Sequence, residues 1–184
     1  WLCSWTSGWT CLAAPATKKS MWRRAAVQVL GKPADMGLVN IGGLRNVLTE
    51  GPVTCGNIYE ILPFENSLCV VTLKGADLNH LFENIAACGG EGVSGVQLHI
   101  TKDGKLLRAT VAGKPVVEDR MYTVATIDYL ADGNDGMTAL IRAEKRECPQ
   151  GATLRSLFMD YVERQTAAGK KITSRMEGRI TVED

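Results

Sequence analysis

Met36-Gly37-Leu38-Val39-Asn40-Ile41-Gly42-Gly43-Leu44-Arg45 is the stretch of sequence around which the fold is organised. The short apolar run at 36–39 predicts a buried strand, and the two glycines let the backbone turn sharply or approach another group closely. Arg45 leaves this turn with a planar, permanently charged guanidinium group that suits a carboxylate or a phosphate. A strand that ends in Gly-Gly before a solvated arginine is also a common structural arrangement, so this stretch alone leaves both roles open.

The length and charge of the chain restrict what it can be. Its 184 residues fit one domain, with room for a terminal extension. The net charge is +1, the pI is near 7.8, and no run of Lys or Arg exceeds two residues. This balance gives little support to nucleic-acid or membrane-surface binding. No apolar segment approaches the roughly 18 to 20 residues that span a bilayer.

Cysteine and histidine spacing indicates neither a zinc cluster nor a Cys/His catalytic pair. The chain has six cysteines without a C-x-x-C pair, and its two histidines are His80 and His99. Cys69 falls in an apolar strand and Cys88 at a helix end, so both are interpreted as buried or incidental thiols. The even number of cysteines leaves disulfides open. His80 is predicted to be solvated, because it points away from the apolar stripe of its helix.

Residues 1–22 differ in composition from the rest, because they contain all four tryptophans. Ala14-Pro15-Ala16 has the small-x-small form of a signal cleavage site, but no initiating Met or basic region precedes it. A signal remnant, a sequence left by cloning, a shifted reading frame and a disordered extension all remain open. The predicted functional domain is 23–184.

Hydrophobic periodicity predicts an α+β fold with a mixed β-sheet and flanking helices, because short strands and helices alternate without a strict β-α repeat. The Asp-Gly at 103–104 predicts an antiparallel hairpin. Residues 128–136 are too polar and glycine-rich for a regular element and are predicted to form a loop. The predicted helices are 21–30, 54–61, 78–86 and 154–162, and the predicted strands are 36–41, 67–74, 96–101, 106–111, 121–127 and 179–182.

Three loops carry side chains that suit a nucleotide. Phe64 and Tyr129 could enclose a flat base, since stacking on an aromatic side chain contributes about 1 to 3 kcal/mol per base. Asp135 could accept hydrogen bonds from a ribose diol, Asn66 could contact a base edge, and Arg45 could bind a phosphate. The alternative is that the two aromatic residues belong to the core or to a corner of the fold.

Four segments in register resemble the C-terminal domain of 5'-nucleotidases, and the resemblance covers roughly residues 25 to 183. They are Ala34-Asp35-Met36-Gly37-Leu38-Val39-Asn40-Ile41-Gly42-Gly43-Leu44-Arg45, Pro63-Phe64-Glu65-Asn66, Tyr122-Thr123-Val124-Ala125-Thr126 and Gly133-Asn134-Asp135-Gly136. The resemblance implies that this domain binds a nucleoside or nucleotide during nucleotide catabolism. It also implies export to the periplasm or the cell surface.

The resemblance implies a role for each matching residue. Arg45 matches the phosphate-binding arginine, and Phe64 and Tyr129 match the base-stacking pair. Asn66 matches the asparagine near the base, and Asp135 matches the aspartate that holds the ribose. The loop at 89–94 matches loosely, and only Gly90 is carried over from it. Tyr129 stands where some members have Phe, and the further arginines of some members would fall near Thr10 and Ala14.

In the family that this chain resembles, a separate N-terminal metallophosphoesterase domain holds two divalent metals and performs the hydrolysis. Such chemistry needs several His, Asp and Asn ligands. Neither histidine here lies in an Asp-x-His or Gly-Asn-His-Glu context. The chain alone is therefore predicted to bind and not to hydrolyse, with no cofactor or catalytic residue of its own. The alternative is a non-catalytic nucleoside-binding or purely structural module.

Overall fold

The computed structural model describes residues 21–172 and 177–183. The atypical segment 1–22 lies outside the described residues apart from its last two. The helices are α1 (Met21–Ala25), α2 (Val27–Leu30), α3 (Cys55–Ile61), α4 (Gly75–Ala87), α5 (Asp128–Ala131) and α6 (Leu154–Ala167), with short 3-10 turns at Ile41–Gly43, Asn134–Gly136 and Thr138–Arg142. The strands are β1 (Met36–Val39), β2 (Leu68–Lys74), β3 (Gly92–Ser94), β4 (Val96–Thr101), β5 (Leu106–Val111), β6 (Lys114–Pro115), β7 (Met121–Ile127), β8 (Lys145–Glu147) and β9 (Ile180–Glu183).

Within the described residues the strands form two sheets. The first sheet has the order β3-β1-β7-β2-β8, and the second has the order β6-β5-β4-β9. In the first sheet β1 and β7 are parallel and the other pairs are antiparallel. In the second sheet only β4 and β9 are parallel. The α+β prediction with mixed pairing is confirmed, but the strands are divided between two sheets.

The core lies around α4, which packs on strands of both sheets. Leu78, Leu81, Phe82 and Ile85 recur at helical spacing on α4, and all four are fully buried. Strand β2 is buried on both faces, as its continuous apolar run predicts. This core fixes the strand ends from which the candidate site residues project.

Most predicted elements are confirmed, and two differences bear on function. The segment 128–136 forms α5 and a 3-10 turn instead of an irregular loop, because Leu130 and Ala131 are buried against the core. Three short strands, β3, β6 and β8, were not predicted. Strand β8, with the sequence Lys-Arg-Glu, carries no apolar pattern. It pairs with β2 at the edge of the first sheet.

The interpretation of Cys69 as a free thiol is wrong. Cys69 and Cys148 form a disulfide, with a Cα–Cα distance of 4.2 Å. The antiparallel register of β2 and β8 pairs Val70 with Glu147, so the two cysteines lie beside each other at the next position. Cys88 is a free, exposed thiol at the end of α4.

No helix in the described part of the chain is long and apolar enough to cross a membrane.

Candidate functional site

The turn after β1 is built around Asn40. This residue follows the strand and is only 8% exposed. A Cβ atom on Gly43 would lie 2.7 Å from Asn40 Oδ1, whereas around Gly42 there is open space. A side chain on Gly43 would displace the Asn40 amide, whereas the packing leaves space for a side chain on Gly42.

Arg45 leaves this turn on the protein surface. Its backbone N–H donates to the carbonyl oxygen of Ile61 at 3.0 Å, which ties the turn to the end of α3. Its guanidinium carbon lies 5.2 Å from the centroid of the Phe64 ring, within the range of a cation–π contact. Two of the predicted site residues are thereby in contact.

Asp135 connects two other parts of the site. Its carboxylate accepts a hydrogen bond from Asn40 Nδ2 at 2.7 Å and one from the Tyr129 hydroxyl at 3.0 Å. The backbone φ of Asp135 is +52°, a left-handed conformation that Asp tolerates better than most residues. The hydrogen bond with Asp135, and its negative charge, raise the pKa of Tyr129. This tyrosine therefore stays a neutral donor at physiological pH.

Glu91 is a half-buried carboxylate on the other side of the turn. Its Oε2 accepts a hydrogen bond from the backbone N–H of Ile41 at 2.6 Å. Burial raises the pKa of Glu91, and the charge of Asp135 raises it further, while hydrogen bonds from the backbone of Ile41 and Gly92 act in the opposite direction. The turn after β1 is thus anchored to the loop between α4 and β3.

Cys88 lies close to Asp135 and Glu91. Its thiol donates to the carbonyl oxygen of Asp135 at 3.3 Å. Burial raises the pKa of this thiol, and so do the charges of Glu91 and Asp135. Cys88 is therefore held as the protonated thiol, which is a poor nucleophile.

Gly90 stands beside Glu91 in the loop between α4 and β3. Its φ is +110°, and a Cβ atom there would lie 3.2 Å from the Cδ1 atom of Ile180. Its N–H donates to the carbonyl oxygen of Ile85 at 2.9 Å. The local conformation and the close approach both favour glycine at this position.

Phe64 and Asn66 lie on the segment between α3 and β2. The Phe64 side chain is 44% exposed. Asn66 is half-buried, and its carbonyl oxygen accepts a hydrogen bond from the N–H of Leu154 at 2.8 Å. Arg155, in the first turn of α6, donates to the carbonyl oxygens of Leu62 and Pro63. The main chain around Phe64 is therefore held from behind by α6.

The turn at 40–45 joins most of the predicted residues. Through Asn40 it contacts Asp135, through Ile41 it contacts Glu91, and through Arg45 it contacts Phe64. Tyr129 joins the group through its bond to Asp135.

Sequence reasoning assigned no role to Asn40, Glu91 or Arg155. The contact between the Asn40 side chain and Gly43 could not be predicted from their spacing, because it depends on how the turn folds. Glu91 lies between glycines, where a carboxylate resembles an ordinary loop residue. Arg155 could have been noticed in the sequence, because the helix dipole disfavours a cation in the first turn of a helix unless other contacts stabilise it.

The described residues do not fit the metal site of a two-metal phosphoesterase. Within residues 21–172 and 177–183, no group of three or more His, Cys, Asp or Glu side chains could hold a metal ion. Both histidines lie against single carboxylates, His80 against Glu83 and His99 against Glu183. His80 is exposed, as predicted.

Comparison with known proteins gives a consistent result across sequence and structure. The family described as 5'-nucleotidase, C-terminal domain, matches residues 13–143. An apyrase from Aedes aegypti and the cell wall protein Lmo0130 from Listeria monocytogenes are each 30% identical to the chain over 165 residues. The alignments cover 79% and 81% of this chain, which spans only 28% and 21% of the two relatives.

The crystal structure of a 5'-nucleotidase precursor from Thermus thermophilus has a similar fold. It superposes with a TM-score of 0.74 at 29% sequence identity, and the match covers 88% of this chain and 33% of that one. The chain is thus similar to about a third or less of each of these longer proteins.

Proposed function

Because the chain belongs to the family of 5'-nucleotidase C-terminal domains, as the sequence resemblance predicted, we propose that it is the nucleoside- or nucleotide-binding part of a 5'-nucleotidase-type phosphohydrolase. The observation that carries this proposal is the turn at 40–45. It connects the arginine assigned to the phosphate with an aromatic residue assigned to the base and with the aspartate assigned to the ribose.

The base stacks between Phe64 and Tyr129 in this proposal. Their side chains are 44% and 40% exposed, so a large part of each ring is available to a ligand. Covering exposed aromatic surface and adding a stacking contact contributes about 1 to 3 kcal/mol per base. Asn66 and Gly90 line the base side in this proposal, Asn66 through its amide and Gly90 through the backbone conformation that it gives the loop beside Glu91.

The ribose diol binds to Asp135. A carboxylate offers about four lone-pair positions for hydrogen bonds. The two bonds from Asn40 and Tyr129 use part of this capacity, and a vicinal diol supplies two further donors. The two protein donors also fix the orientation of the carboxylate before the ligand arrives, which lowers the entropy cost of binding.

Arg45 binds the phosphate. Its guanidinium group is exposed and rests on Phe64, so it can turn toward a phosphate without leaving a buried partner unpaired. A hydrogen bond to a charged group contributes about 1.5 to 3 kcal/mol. This contact therefore separates nucleotides from nucleosides.

Hydrolysis belongs to a separate two-metal phosphoesterase domain or subunit in this proposal. The names of the relatives, apyrase and 5'-nucleotidase, belong to proteins of which this chain matches 28% and 33%. Two divalent metals in that other part would polarise the phosphate and activate water. The present chain supplies the binding energy that positions the nucleotide.

We place the protein in the periplasm or at the cell surface. The Cys69–Cys148 disulfide supports an oxidising compartment, where such bonds persist. One relative at 30% identity is named as a cell wall protein, which supports the same location.

The stacking contacts can be tested by calorimetry with adenosine and AMP. Phe64→Ala and Tyr129→Ala should each weaken adenosine binding by about 1 to 3 kcal/mol. Leu107→Ala, which removes another exposed apolar side chain on β5, is the matched control and should leave affinity unchanged. Unchanged affinity in both aromatic variants would reject the stacking site. No heat with any nucleoside or nucleotide, in folded protein, would favour a purely structural module.

The phosphate contact is tested with Arg45→Ala. This variant should weaken AMP binding more than adenosine binding, by about 1.5 to 3 kcal/mol. Arg108→Ala, an exposed arginine on β5, controls for the loss of one positive charge. Equal losses for AMP and adenosine would assign Arg45 a structural role.

The division of labour is tested by phosphate release. With a metallophosphoesterase domain of the family and a divalent metal, the chain should increase the release of phosphate from AMP. If no partner responds while adenosine still binds, the alternative of a non-catalytic nucleoside-binding module is supported instead.

A further inference from the structure

A buried arginine lies behind the segment that carries Phe64. Arg155 is the second residue of α6, and its side chain is 8% exposed. Two effects disfavour a cation at this place: burial removes its hydration, and the N-terminus of a helix carries a partial positive charge. Such a residue persists only where its contacts offset both effects.

Arg155 contacts three of the four consecutive residues 62–65. Its Nη1 donates to the carbonyl oxygens of Leu62 and Pro63, both at 3.2 Å, and its Nη2 lies 2.6 Å from Glu65 Oε1. Phe64 lies between these anchored positions. Because the Phe64 side chain is nearly half exposed, the position of its ring depends on the main chain that Arg155 holds.

A ring contact completes the support. The guanidinium carbon of Arg155 lies 4.1 Å from the centroid of the Tyr59 ring on α3. The planar guanidinium group thus stacks on one element and donates along its edge to another, which a lysine ammonium group cannot do. The arginine fixes the segment after α3 relative to both α3 and α6.

The end of the same segment is hydrogen-bonded to the backbone just before Tyr129. Ser67 pairs with Thr153 across an isolated β-bridge at the start of α6. The carbonyl oxygen of Ser67 accepts a hydrogen bond from the N–H of Asp128 at 2.9 Å, one residue before Tyr129. Arg155 contacts the Phe64 part of this segment at residues 62, 63 and 65, whereas Ser67 is bonded to the backbone before Tyr129. A change at Arg155 therefore moves the Phe64 ring relative to Tyr129.

We propose that Arg155 is a positioning residue that sets the distance between Phe64 and Tyr129 for the base. This inference rests on the proposed function of the site and concerns only its base-stacking part. Arg155 touches no ligand itself and acts through the main chain of Phe64. Its effect on binding must therefore disappear when the Phe64 ring is removed.

The test is a double-mutant cycle that combines Arg155→Met with Phe64→Ala. Adenosine and AMP are the probes, titrated by calorimetry against the 184-residue chain. Arg155→Met should weaken both probes by the same factor, fivefold or more. In the Phe64→Ala background, Arg155→Met should change adenosine affinity by less than twofold. Its cost in thermal stability should persist in both backgrounds, since a purely structural contribution does not depend on the ring.

Three further variants keep the test decisive. Arg164→Met, on the exposed part of the same helix, is the matched control and should bind adenosine as the wild type does. Arg155→Lys keeps the charge but loses the forked geometry, so it should weaken adenosine binding to an intermediate degree. Glu65→Gln removes the charged partner and should weaken adenosine binding about twofold. These two conservative variants decide the question if Arg155→Met fails to fold.

Several outcomes would overturn the inference. One is a folded Arg155→Met variant that binds adenosine as tightly as the wild type does. Another is an Arg155→Met substitution that weakens adenosine binding as much in the Phe64→Ala background as in the wild type. These results differ from a failure of the proposed function. If Phe64→Ala itself leaves adenosine affinity unchanged, the stacking site is rejected. If Phe64→Ala weakens binding but Arg155→Met does not, only the positioning role is rejected.

Discussion

The two edges of the first sheet, at β8 and at β3, are stabilised in different ways. At one edge, β8 is a short, charged strand, and Cys148 directly after it forms a disulfide with Cys69 on β2. At the other edge, β1 and β3 lead into the candidate site. Beyond the pairing of the strands, the turn after β1 is held there by single hydrogen bonds, from Asn40 to Asp135 and from Ile41 to Glu91.

This difference separates stability from binding. A covalent link acts mainly by restricting the unfolded chain, so it stabilises the fold without shaping a ligand site. Single hydrogen bonds to side chains contribute less to stability but fix the direction of each donor and acceptor. We therefore expect changes at the β8 edge to lower stability, and changes at the β3 edge to lower affinity.

Loss of the disulfide should have the largest effect on stability. The bond closes a loop with a sequence separation of 79 residues, for which the chain-entropy estimate is about 4.5 kcal/mol. Cys148→Ser should therefore lower the free energy of unfolding in urea by about 2 to 4 kcal/mol. The affinity of the remaining folded protein for adenosine should not change.

Cys55→Ser is the control for this experiment, because Cys55 is a free, exposed cysteine. It should leave the free energy of unfolding within about 0.5 kcal/mol of the wild type. A Cys148→Ser variant that is as stable as the wild type but has lost adenosine affinity would contradict the division between the two edges.

Gly43→Ala should have a smaller effect on stability and a clear one on binding. The new methyl group would lie 2.7 Å from Asn40 Oδ1, so the Asn40 side chain must move and its bond to Asp135 is disturbed. Overpacking of this kind costs about 1 to 3 kcal/mol. Calorimetry with adenosine should show weaker binding, because the carboxylate assigned to the ribose loses its orientation.

The neighbouring glycine provides a matched control. Gly42 has open space where its Cβ would lie, so Gly42→Ala should fold and bind adenosine like the wild type. If Gly42→Ala and Gly43→Ala weaken binding equally, the backbone freedom of the turn matters more than the packing of Asn40.

The sequence predicted the elements of the fold well where periodicity was strong. The stripe from Leu78 to Ile85 and the Asp-Gly hairpin at 103–104 lie where they were expected. Strand β8 could not be found in this way, because an edge strand stabilised by a disulfide needs no apolar pattern of its own. The interpretation of Cys69 failed for the same reason, since its partner lies directly after that strand.

The candidate site was predicted in part. Arg45, Phe64, Tyr129 and Asp135 were identified by their chemistry and by the resemblance, and the structure joins them in two contacting pairs. Their roles toward a ligand remain predictions. The supports were not found, because the link from Arg155 to Leu62 joins residues 93 positions apart and depends on tertiary structure alone.

The smallest expected effect concerns the protonation of Glu91. The pKa of this carboxyl is raised above its ordinary value of 4.5, chiefly by burial and further by the charge of Asp135. The folded protein therefore holds the proton more tightly than the unfolded chain. The contribution of Glu91 to stability is fully present below its ordinary pKa and is lost as the pH rises through the raised pKa.

Glu91→Gln should remove this pH dependence, because glutamine keeps an oxygen that accepts from the N–H of Ile41 but does not titrate. Unfolding in urea at about pH 4 and about pH 7 provides the measurement. The stability of the wild type relative to the variant should be greater at the lower pH. Glu163→Gln, on the exposed face of α6, controls for the loss of a carboxylate elsewhere. A difference that grows with pH would mean that the hydrogen bonds from the backbone outweigh the burial of Glu91, and that ionised Glu91 stabilises the turn at 40–45.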